Sequence, residues 1–261
     1  MTDRIAAQMY TVRDFTNSPG DLRETLRKLS EIGYKAVQLS AVGAMSGSNP
    51  SVSAADAKQM LDEFNLRCIA THSDWNALAN NTDEQIAYHK TLGCDYIAIG
   101  SMPGPYGSEG ASGYQRFVED SAPIIAKLKG EGIRFGYHNH SFEFLRIGPG
   151  ARTLYDILLD APADLMLEID FYWVMNAGVN PERVLEKASG RVAVTHVKDR
   201  EVSGNDGIMA PVGEGNMDWE HILPLGIKSG VEWFTVEQDT CRRDPFDCLR
   251  SSYNYLKSLL G

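Results

Sequence analysis

The chain has 261 residues, of which 43% are hydrophobic and 23% charged, a composition typical of a globular protein with one large α/β domain or two small ones. Its net charge of −10 and pI of about 5.1 exclude nucleic acid and anionic lipid as favoured partners, because such a surface repels polyanions. The sequence contains no apolar run near the roughly 20 residues of a membrane span, and its first residues lack a signal-peptide core, so we expect a cytoplasmic protein without a membrane partner.

Eight short apolar runs recur along the chain at a regular interval, and amphipathic helical patterns fill the gaps between them. This alternation predicts parallel strands joined by helical crossovers. The strands are predicted at residues 4–10, 34–40, 67–73, 95–101, 134–140, 165–170, 192–198 and 232–238. Eight such units favour a closed (β/α)₈ TIM barrel over an open sheet, and the first βα turn lacks the GxGxxG of a dinucleotide fold. No linker interrupts the pattern, so we expect one domain over residues 1–261.

The predicted helices carry residues that commonly begin or end a helix. The helices are predicted at residues 21–33, 53–65, 82–93, 114–132, 151–161, 180–190, 217–230 and 251–260. The expected N-caps are Asp21, Ser53, Thr82 and Asp218, and the expected stops are Gly33, Gly93, Gly132, Gly190 and Gly230. Loops that follow strands, such as 40–53, 100–113 and 199–216, are longer than those that precede them. This asymmetry places function at the carboxyl ends of the strands.

Residues able to bind a metal stand at the carboxyl ends of the last four predicted strands. They are Glu143, Asp170, His196 and Glu237. In a parallel barrel these ends meet at one mouth, so the set predicts a site for one divalent ion. Three carboxylates and one imidazole form an oxygen-rich set that suits Mn²⁺ or Mg²⁺ best, with Co²⁺ or Zn²⁺ as alternatives.

The position of Glu143 conflicts with a single regular strand. Side chains alternate along a strand, and Glu143 has the opposite parity to His138 and His140. We therefore expect the strand to end near His140 and Glu143 to return from the following loop, with a β-bulge as the alternative.

Further polar and aromatic residues near the strand ends have two interpretations. Glu168 lies one pleat deeper than Asp170, which favours a structural ion pair or a role behind the metal ligands. His72 is either a satisfied rim residue or a contact for the substrate. Trp173 is equally well explained by packing and by stacking on the apolar face of a sugar ring.

Five motifs together resemble the sugar phosphate isomerase/epimerase family with the xylose isomerase-like TIM barrel. They are HNHSFEF, EIDFYWVMNAGVNP, THVKD, VGEGNMDW and VEQD. The resemblance implies that Glu143, Asp170, His196 and Glu237 are the metal ligands. It also implies that Glu143 and Glu237 act as acid and base, and that His138 and Lys198 contact substrate oxygens. Ketose epimerases and inosose dehydratases of this family usually have His where this chain has Trp173.

These observations predict a metal-dependent isomerase or epimerase that acts on a small keto sugar through an enediolate. The alternative is a metal-dependent lyase or dehydratase on 3-keto-glycosides or inosose-like ketones, because Trp173 and the long loop after Met102 could admit a bulkier substrate. A third alternative is a sugar-binding barrel without catalysis. The chain has no GxxxxGK[ST] phosphate loop, which favours a non-phosphorylated sugar. Barrels of this kind often pair, so a homo-oligomer is compatible with the sequence.

Overall fold

The computed structural model describes residues 4–261, and eight of its parallel strands close into a barrel. The barrel strands are β1 Ile5–Gln8, β2 Ala36–Leu39, β3 Arg67–His72, β4 Tyr96–Ile99, β5 Arg134–His138, β6 Leu165–Asp170, β7 Val194–Val197 and β10 Trp233–Val236. Around the barrel their order is β1-β10-β7-β6-β5-β4-β3-β2. Each of these strands lies within a predicted strand, so the predicted closed (β/α)₈ TIM barrel is confirmed.

Helices cover the outside of the barrel and follow the strands in chain order. They are α1 Pro19–Ile32, α2 Ala54–Glu63, α3 Trp75–Asn80, α4 Thr82–Leu92, α5 Gly104–Gly107, α6 Ala111–Gly130, α7 Leu154–Leu159, α8 Phe171–Asn176, α9 Pro181–Ala188, α10 Trp219–Ser229 and α11 Pro245–Leu260. Short 3₁₀ turns span Met9–Phe15, Gly43–Met45 and Phe142–Phe144. The helix α11 begins six residues before the predicted 251–260, because Asp244 caps it and Pro245 occupies its first position.

Two of the predicted N-caps are confirmed and two are wrong. Ser53 and Asp218 accept hydrogen bonds from backbone N–H groups of α2 and α10. The cap of α1 is Ser18 rather than Asp21, because Pro19 begins the helix and the Ser18 hydroxyl accepts from the Asp21 N–H. Thr82 is the first helical residue of α4 rather than its cap.

The predicted stops coincide with helix ends at three glycines. Gly33, Gly93 and Gly230 are the C-cap residues of α1, α4 and α10. Gly132 and Gly190 instead lie two residues beyond the ends of α6 and α9.

The long loop after β7 contains a hairpin that the sequence pattern did not predict. Strands β8 Asp199–Ser203 and β9 Asp206–Ala210 pair antiparallel outside the barrel. The buried Asp199 carboxylate anchors the loop, because it accepts hydrogen bonds from the N–H groups of Gly213 and Met217 and from Trp219 Nε1. The loop is thereby fixed beside the last residues of β7.

The interior of the barrel divides into an apolar lower half and a polar upper half. Its amino-terminal half is filled by a small cluster separate from the larger core between strands and helices. That cluster consists of Ala6, Ala36, Ile69, Ala70, Tyr96, Ala98, Ala193 and Val194. Buried polar residues lie one pleat further along the strands, for example Gln8 after Ala6 and Gln38 after Ala36. The polar half therefore lies at the carboxyl ends of the strands, with the apolar cluster beneath it.

A glycine makes room for the largest side chain of this inner cluster. A Cβ at Gly136 would overlap the hydroxyl and ring of Tyr96. We expect Gly136→Ala to lower the free energy of unfolding by about 1–3 kcal/mol, because the overlap forces the ring or the strand to shift. Gly130→Ala at the end of α6 is the matched control, since a Cβ there meets no atom within 4 Å. Urea unfolding of both variants measures the difference.

Tyr96→Phe tests the cause of that destabilisation. The Tyr96 hydroxyl is buried without a hydrogen-bond partner in residues 4–261, so its removal alone should cost little. In the Gly136→Ala background it should recover part of the lost stability. Equal stability of the single and double variants would show that the overlap with this hydroxyl is not the cause.

Candidate metal centre and active site

The strand register brings the polar residues of neighbouring strands to one side of the barrel wall. Asp170 of β6 pairs with His196 of β7, and His138 of β5 pairs with Glu168 of β6. In parallel strands, paired residues point to the same face, so these four side chains all enter the barrel interior. Thr235 pairs with His196, which places Glu237, two residues further along, at the same mouth.

A buried group at this mouth has the composition of a metal site. His138, Asp170, His196 and Glu237 each offer a ligand atom, and these atoms lie within 4.8 Å of one another. His196 Nδ1 is 2.8 Å from Glu237 Oε2 and 3.8 Å from Asp170 Oδ2. His138 Nε2 is 3.9 Å from Asp170 Oδ2. We refer to these four residues as the mouth group.

Lys198 places a positive charge among the carboxylates of this mouth. Its ammonium Nζ lies 2.6 Å from Glu237 Oε2, 2.9 Å from Asp170 Oδ2 and 2.8 Å from Asp239 Oδ2. These carboxylates raise the pKa of Lys198, although burial acts in the opposite direction. The predicted substrate-binding residue is thus also an ion-pair partner of two mouth-group residues.

Glu168 connects the mouth group to a second set of imidazoles one pleat deeper. Its carboxylate is 2.5 Å from His72 Nε2 and 3.1 Å from His196 Nε2. The amide nitrogen of Gln38 donates to both of its oxygens at 3.1 Å. Burial favours the neutral acid, but the neighbouring His72 and His196 lower the pKa of Glu168 to about 2. Both the ion pair and the position behind the predicted ligands agree with the sequence-based interpretation.

The electrostatics of the mouth group favour a bound positive charge. Although burial opposes it, Glu237 and Glu168 raise the pKa of His196 to about 10, so the ring holds a proton at neutral pH. Burial raises the pKa of Asp170 to about 6, while Lys198 and His196 keep the pKa of Glu237 well below its usual range. A cation that bound here would take the place of the His196 proton.

Two buried polar atoms of the site lack hydrogen bonds, which supports a fit to a divalent ion. In the part of the chain that the structure describes, Asp170 Oδ2 and His138 Nδ1 have no hydrogen-bond partner, although Asp170 Oδ2 contacts the Lys198 ammonium as an ion pair at 2.9 Å. Asp170 Oδ1 is occupied, because it accepts the Trp173 N–H at 3.0 Å and caps α8. The backbone N–H of Asp170 donates to Asn139 Oδ1 at 3.1 Å, which fixes the residue from behind. Two imidazoles and two carboxylates match the donor preferences of Mn²⁺, Co²⁺ and Zn²⁺, once a bound cation has taken the place of the His196 proton.

Glu143 lies outside the mouth group. Strand β5 ends at His138, before the predicted end near His140, and Glu143 follows in a 3₁₀ turn. Its buried carboxylate accepts hydrogen bonds from the Tyr137 hydroxyl at 2.7 Å and from the His140 N–H at 2.8 Å. Tyr137 packs against Phe117 of α6, and its hydroxyl together with the His140 N–H holds Glu143 beside the mouth group rather than within it. Burial raises the pKa of Glu143 to about 7.

An aromatic wall borders the mouth on the side of β5 and β6. The ring centroid of Trp173 lies 5.5 Å from that of His140 and 5.5 Å from Lys198 Nζ. The His140 ring in turn stacks on Phe142, at 5.3 Å and an interplanar angle of 10°. Trp173 Nε1 has no hydrogen-bond partner within residues 4–261.

Two clefts open on the opposite side of the mouth. One of about 370 Å³ is lined by Ser40, His72, Ser73, Asp74, Gln85 and Tyr88, among others. Another of about 550 Å³ lies beside it, between Trp75 and Tyr106. His72 belongs to the first cleft and also reaches Glu168, so it stands between this cleft and the polar interior.

Two residues that the structure brings to the site were assigned no role from the sequence. Asp239 pairs with Lys198, and Gln38 accepts a hydrogen bond from His196 Nε2 at 2.8 Å. Each lies two residues from another polar residue at a strand end, and this spacing in the sequence indicates that the two side chains share a face. The structure also brings His138, predicted as a substrate contact, into the mouth group itself.

Similarity to known proteins supports the same fold. A profile of the family described as xylose isomerase-like TIM barrel matches residues 26–259. No curated protein matches the chain at a significant level. Within residues 4–261, each helix is too short or too polar to cross a membrane.

Solved structures with the same architecture share little sequence with this chain. A sugar phosphate isomerase/epimerase from Parabacteroides distasonis superposes with a TM-score of 0.81 and 22% identity, covering 99% of this chain and 94% of that one. A second such protein from the same organism superposes with a TM-score of 0.78 and 24% identity, covering 97% of both chains. The probable 3-DHS dehydratase AsbF from Bacillus anthracis superposes with a TM-score of 0.70 and 14% identity, covering 97% of this chain and 98% of that one. From the profile match, the chain belongs to the xylose isomerase-like TIM barrel family.

Proposed function

We propose that this protein is a divalent-metal-dependent isomerase or epimerase that acts on a small keto sugar through an enediolate. The observation that carries the proposal is the mouth group, a buried set of two imidazoles and two carboxylates at the carboxyl end of a barrel. The similar structures described as sugar phosphate isomerase/epimerases support the reaction class. The acidic surface and the enclosed, polar interior suit a small neutral substrate better than a polymer.

In this proposal Asp170, His196 and Glu237 hold Mn²⁺ or Mg²⁺, with Co²⁺ or Zn²⁺ as alternatives. The fourth ligand is His138 in the arrangement described, and Glu143 in the prediction from the sequence. A cation held here would polarise a substrate carbonyl and stabilise negative charge that develops on its oxygen. Lys198, next to Asp170 and Glu237, would hold the same oxygen or a neighbouring hydroxyl.

Proton transfer is assigned to Glu237 and Glu143. Glu237 lies at the mouth as a carboxylate, the form that can accept the proton next to the carbonyl, while Lys198 and His196, which keep its pKa low, reduce its strength as a base. Glu143, with a pKa of about 7, suits a group that both gives and takes a proton near neutral pH. It can reach the substrate only after it gives up its hydrogen bonds to Tyr137 and His140.

Substrate contacts are assigned to the two borders of the mouth. Trp173 offers a ring face beside Lys198, on which the apolar side of a sugar can stack. His138 and His72 offer ring nitrogens to hydroxyl groups from the floor and from the cleft side.

The alternative function is a lyase or dehydratase on a 3-keto-glycoside or an inosose-like ketone. The cleft beside His72 favours it, because about 370 Å³ next to the mouth leaves room for a group beyond one ring. The similarity to a probable dehydratase agrees with such chemistry on this fold. Both reactions begin with removal of the same proton, so the product distinguishes them.

Exchange of substrate hydrogen with solvent tests the proposed base. Candidate ketoses incubated with the protein and Mn²⁺ in D₂O should gain deuterium next to the carbonyl. Glu237→Gln should lower the exchange rate roughly 10²–10⁴-fold, because the base is lost. Glu232→Gln is the matched control, since Glu232 lies at the other end of the same strand and pairs with Arg134 at the surface. Exchange unchanged in Glu237→Gln would refute its role, whereas a mass loss of water or of an aglycone would identify the lyase.

Metal-dependent thermal stability tests the ligand set. Mn²⁺ at about 100 times its Kd should stabilise the protein by about 2.7 kcal/mol, seen as a rise in Tm. Asp170→Asn should abolish the rise, and Asp164→Asn, on the exposed side before the same strand, should keep it. Comparison of His138→Asn with Glu143→Gln then identifies the fourth ligand. A wild-type Tm that does not respond to Mn²⁺, Mg²⁺, Co²⁺ or Zn²⁺ would instead favour a sugar-binding barrel without metal.

A further inference from the structure

Below the mouth group lies a second set of potential ligands, which we call the floor group. It consists of His72, His138, Glu168 and His196, whose ligand atoms also lie within 4.8 Å of one another. Glu168 Oε1 is 2.5 Å from His72 Nε2, 3.7 Å from His138 Nδ1 and 3.1 Å from His196 Nε2. The three ring centroids are 4.4–5.5 Å apart. Three imidazoles thus converge on one buried carboxylate oxygen.

His138 and His196 each face the two groups with different ring nitrogens. His138 turns Nε2 to Asp170 and Nδ1 to Glu168. His196 turns Nδ1 to Asp170 and Glu237, and Nε2 to Glu168. The floor-facing Nδ1 of His138 is buried and has no hydrogen-bond partner in the described chain. A neutral imidazole has one nitrogen lone pair, so each ring can ligate toward one group at a time.

We propose that the floor group is a second cation position, selective for a borderline transition ion such as Zn²⁺ and mutually exclusive with the mouth position. The proposal rests on the metal site of the proposed function, because His138 and His196 are shared between the two. An ion on the floor takes both imidazoles from the mouth, so excess Zn²⁺ releases Mn²⁺ from the protein.

The donor set and its spacing fit zinc better than manganese. Three nitrogens and one carboxylate oxygen suit Zn²⁺ or Co²⁺, whereas the mouth adds a second carboxylate. Four donors at tetrahedral zinc bonds of roughly 2.0–2.1 Å lie roughly 3.3 Å from one another. Two of the three distances to Glu168 Oε1, 3.1 and 3.7 Å, lie near that value, and the third, 2.5 Å to His72 Nε2, is a hydrogen-bond contact that a bound ion would open. The floor is closed below by the apolar cluster that includes Tyr96, which agrees with a site lacking an open coordination position.

Gln38 explains why the mouth is occupied first. Its side-chain oxygen accepts from His196 Nε2 at 2.8 Å, and its nitrogen donates to Glu168. When a cation takes the place of one His196 proton at the mouth, this bond retains the other proton on Nε2 and leaves Nδ1 to the cation. An ion on the floor must break the bond between Gln38 and His196, so it competes through its stronger affinity for nitrogen.

Displacement of Mn²⁺ by Zn²⁺ tests the proposal by a readout that does not depend on catalysis. The protein is loaded with Mn²⁺ and titrated with ZnCl₂, and released Mn²⁺ is followed by electron paramagnetic resonance. Wild type should release its Mn²⁺ as one Zn²⁺ binds per chain. His72→Asn removes a ligand that only the floor uses, and should raise the Zn²⁺ concentration needed by at least about tenfold while Mn²⁺ affinity changes less than about twofold.

Two further variants separate the floor from the mouth and from the surface. Asp170→Asn should lose Mn²⁺ and still bind one Zn²⁺. When Co²⁺ replaces this Zn²⁺, the variant should show the intense visible absorption of a tetrahedral site. His221→Asn should behave as wild type, since His221 is an exposed histidine next to Glu182. His72→Gln repeats the test if melting shows that His72→Asn is poorly folded.

Three results would overturn the proposal. They are displacement of Mn²⁺ from His72→Asn at the wild-type Zn²⁺ concentration, joint binding of Mn²⁺ and Zn²⁺ without displacement, and loss of both ions in Asp170→Asn. Failure of the proposed function looks different: wild type would then bind no Mn²⁺, while the dependence of Zn²⁺ binding on His72 could still be measured in Asp170→Asn.

Discussion

The ion pairs between buried carboxylates and buried cations at the barrel mouth constrain the side chains around them. Glu168, Asp170 and Glu237 are removed from water, and an isolated carboxylate in such a place is too costly to keep its charge. Lys198 and a protonated His196 supply the compensating charge. Because each cation contacts more than one carboxylate, a change at one member alters the charge balance of the others. The backbone register of β6, β7 and β10 makes this possible, since it brings Asp170, His196 and Glu237 to the mouth and Glu168 one pleat deeper.

The same constraint explains why the site is divided into two levels. Glu168 lies one pleat below Asp170, so the imidazole of His196 stands between them and is bonded on both sides. Below this level the barrel is filled by alanines and by Tyr96, for which Gly136 leaves room. A polar layer above this apolar cluster can bind a small ion, and the cluster closes the barrel beneath it.

The sequence predicted the parts of this arrangement that depend on strand periodicity. Eight apolar runs fixed the barrel, and strand-end position identified Asp170, His196 and Glu237, which the structure does bring together. Periodicity also placed Glu168 behind Asp170. These predictions succeeded because alternation along a strand and the parallel register leave one choice of face.

What the sequence could not predict depends on contacts between residues far apart in the chain. The orientation of Glu143 is set by the Tyr137 hydroxyl and the His140 N–H, within an irregular turn that no period describes. The hairpin from Asp199 to Ala210 depends on the Asp199 carboxylate, which accepts hydrogen bonds from N–H groups of residues 213–219. The contact between Gln38 and His196 depends on closure of the barrel, which brings β2 opposite β7, because 158 residues separate the two in the chain.

Glu143 is also the residue that connects the structure to the choice of reaction. Epimerisation needs a second proton-transfer group on the face of the substrate opposite Glu237, and Glu143 holds the appropriate pKa but faces Tyr137. Once the base has removed the same proton, elimination needs only a proton for the leaving group, and that group would lie on the side of the cleft lined by His72 and Ser40. A Glu143 that stays bonded to Tyr137 when substrate binds therefore favours elimination, and one that turns to the mouth favours epimerisation. The two hydrogen bonds that hold this carboxylate thus bear on the chemistry as much as the metal ligands do.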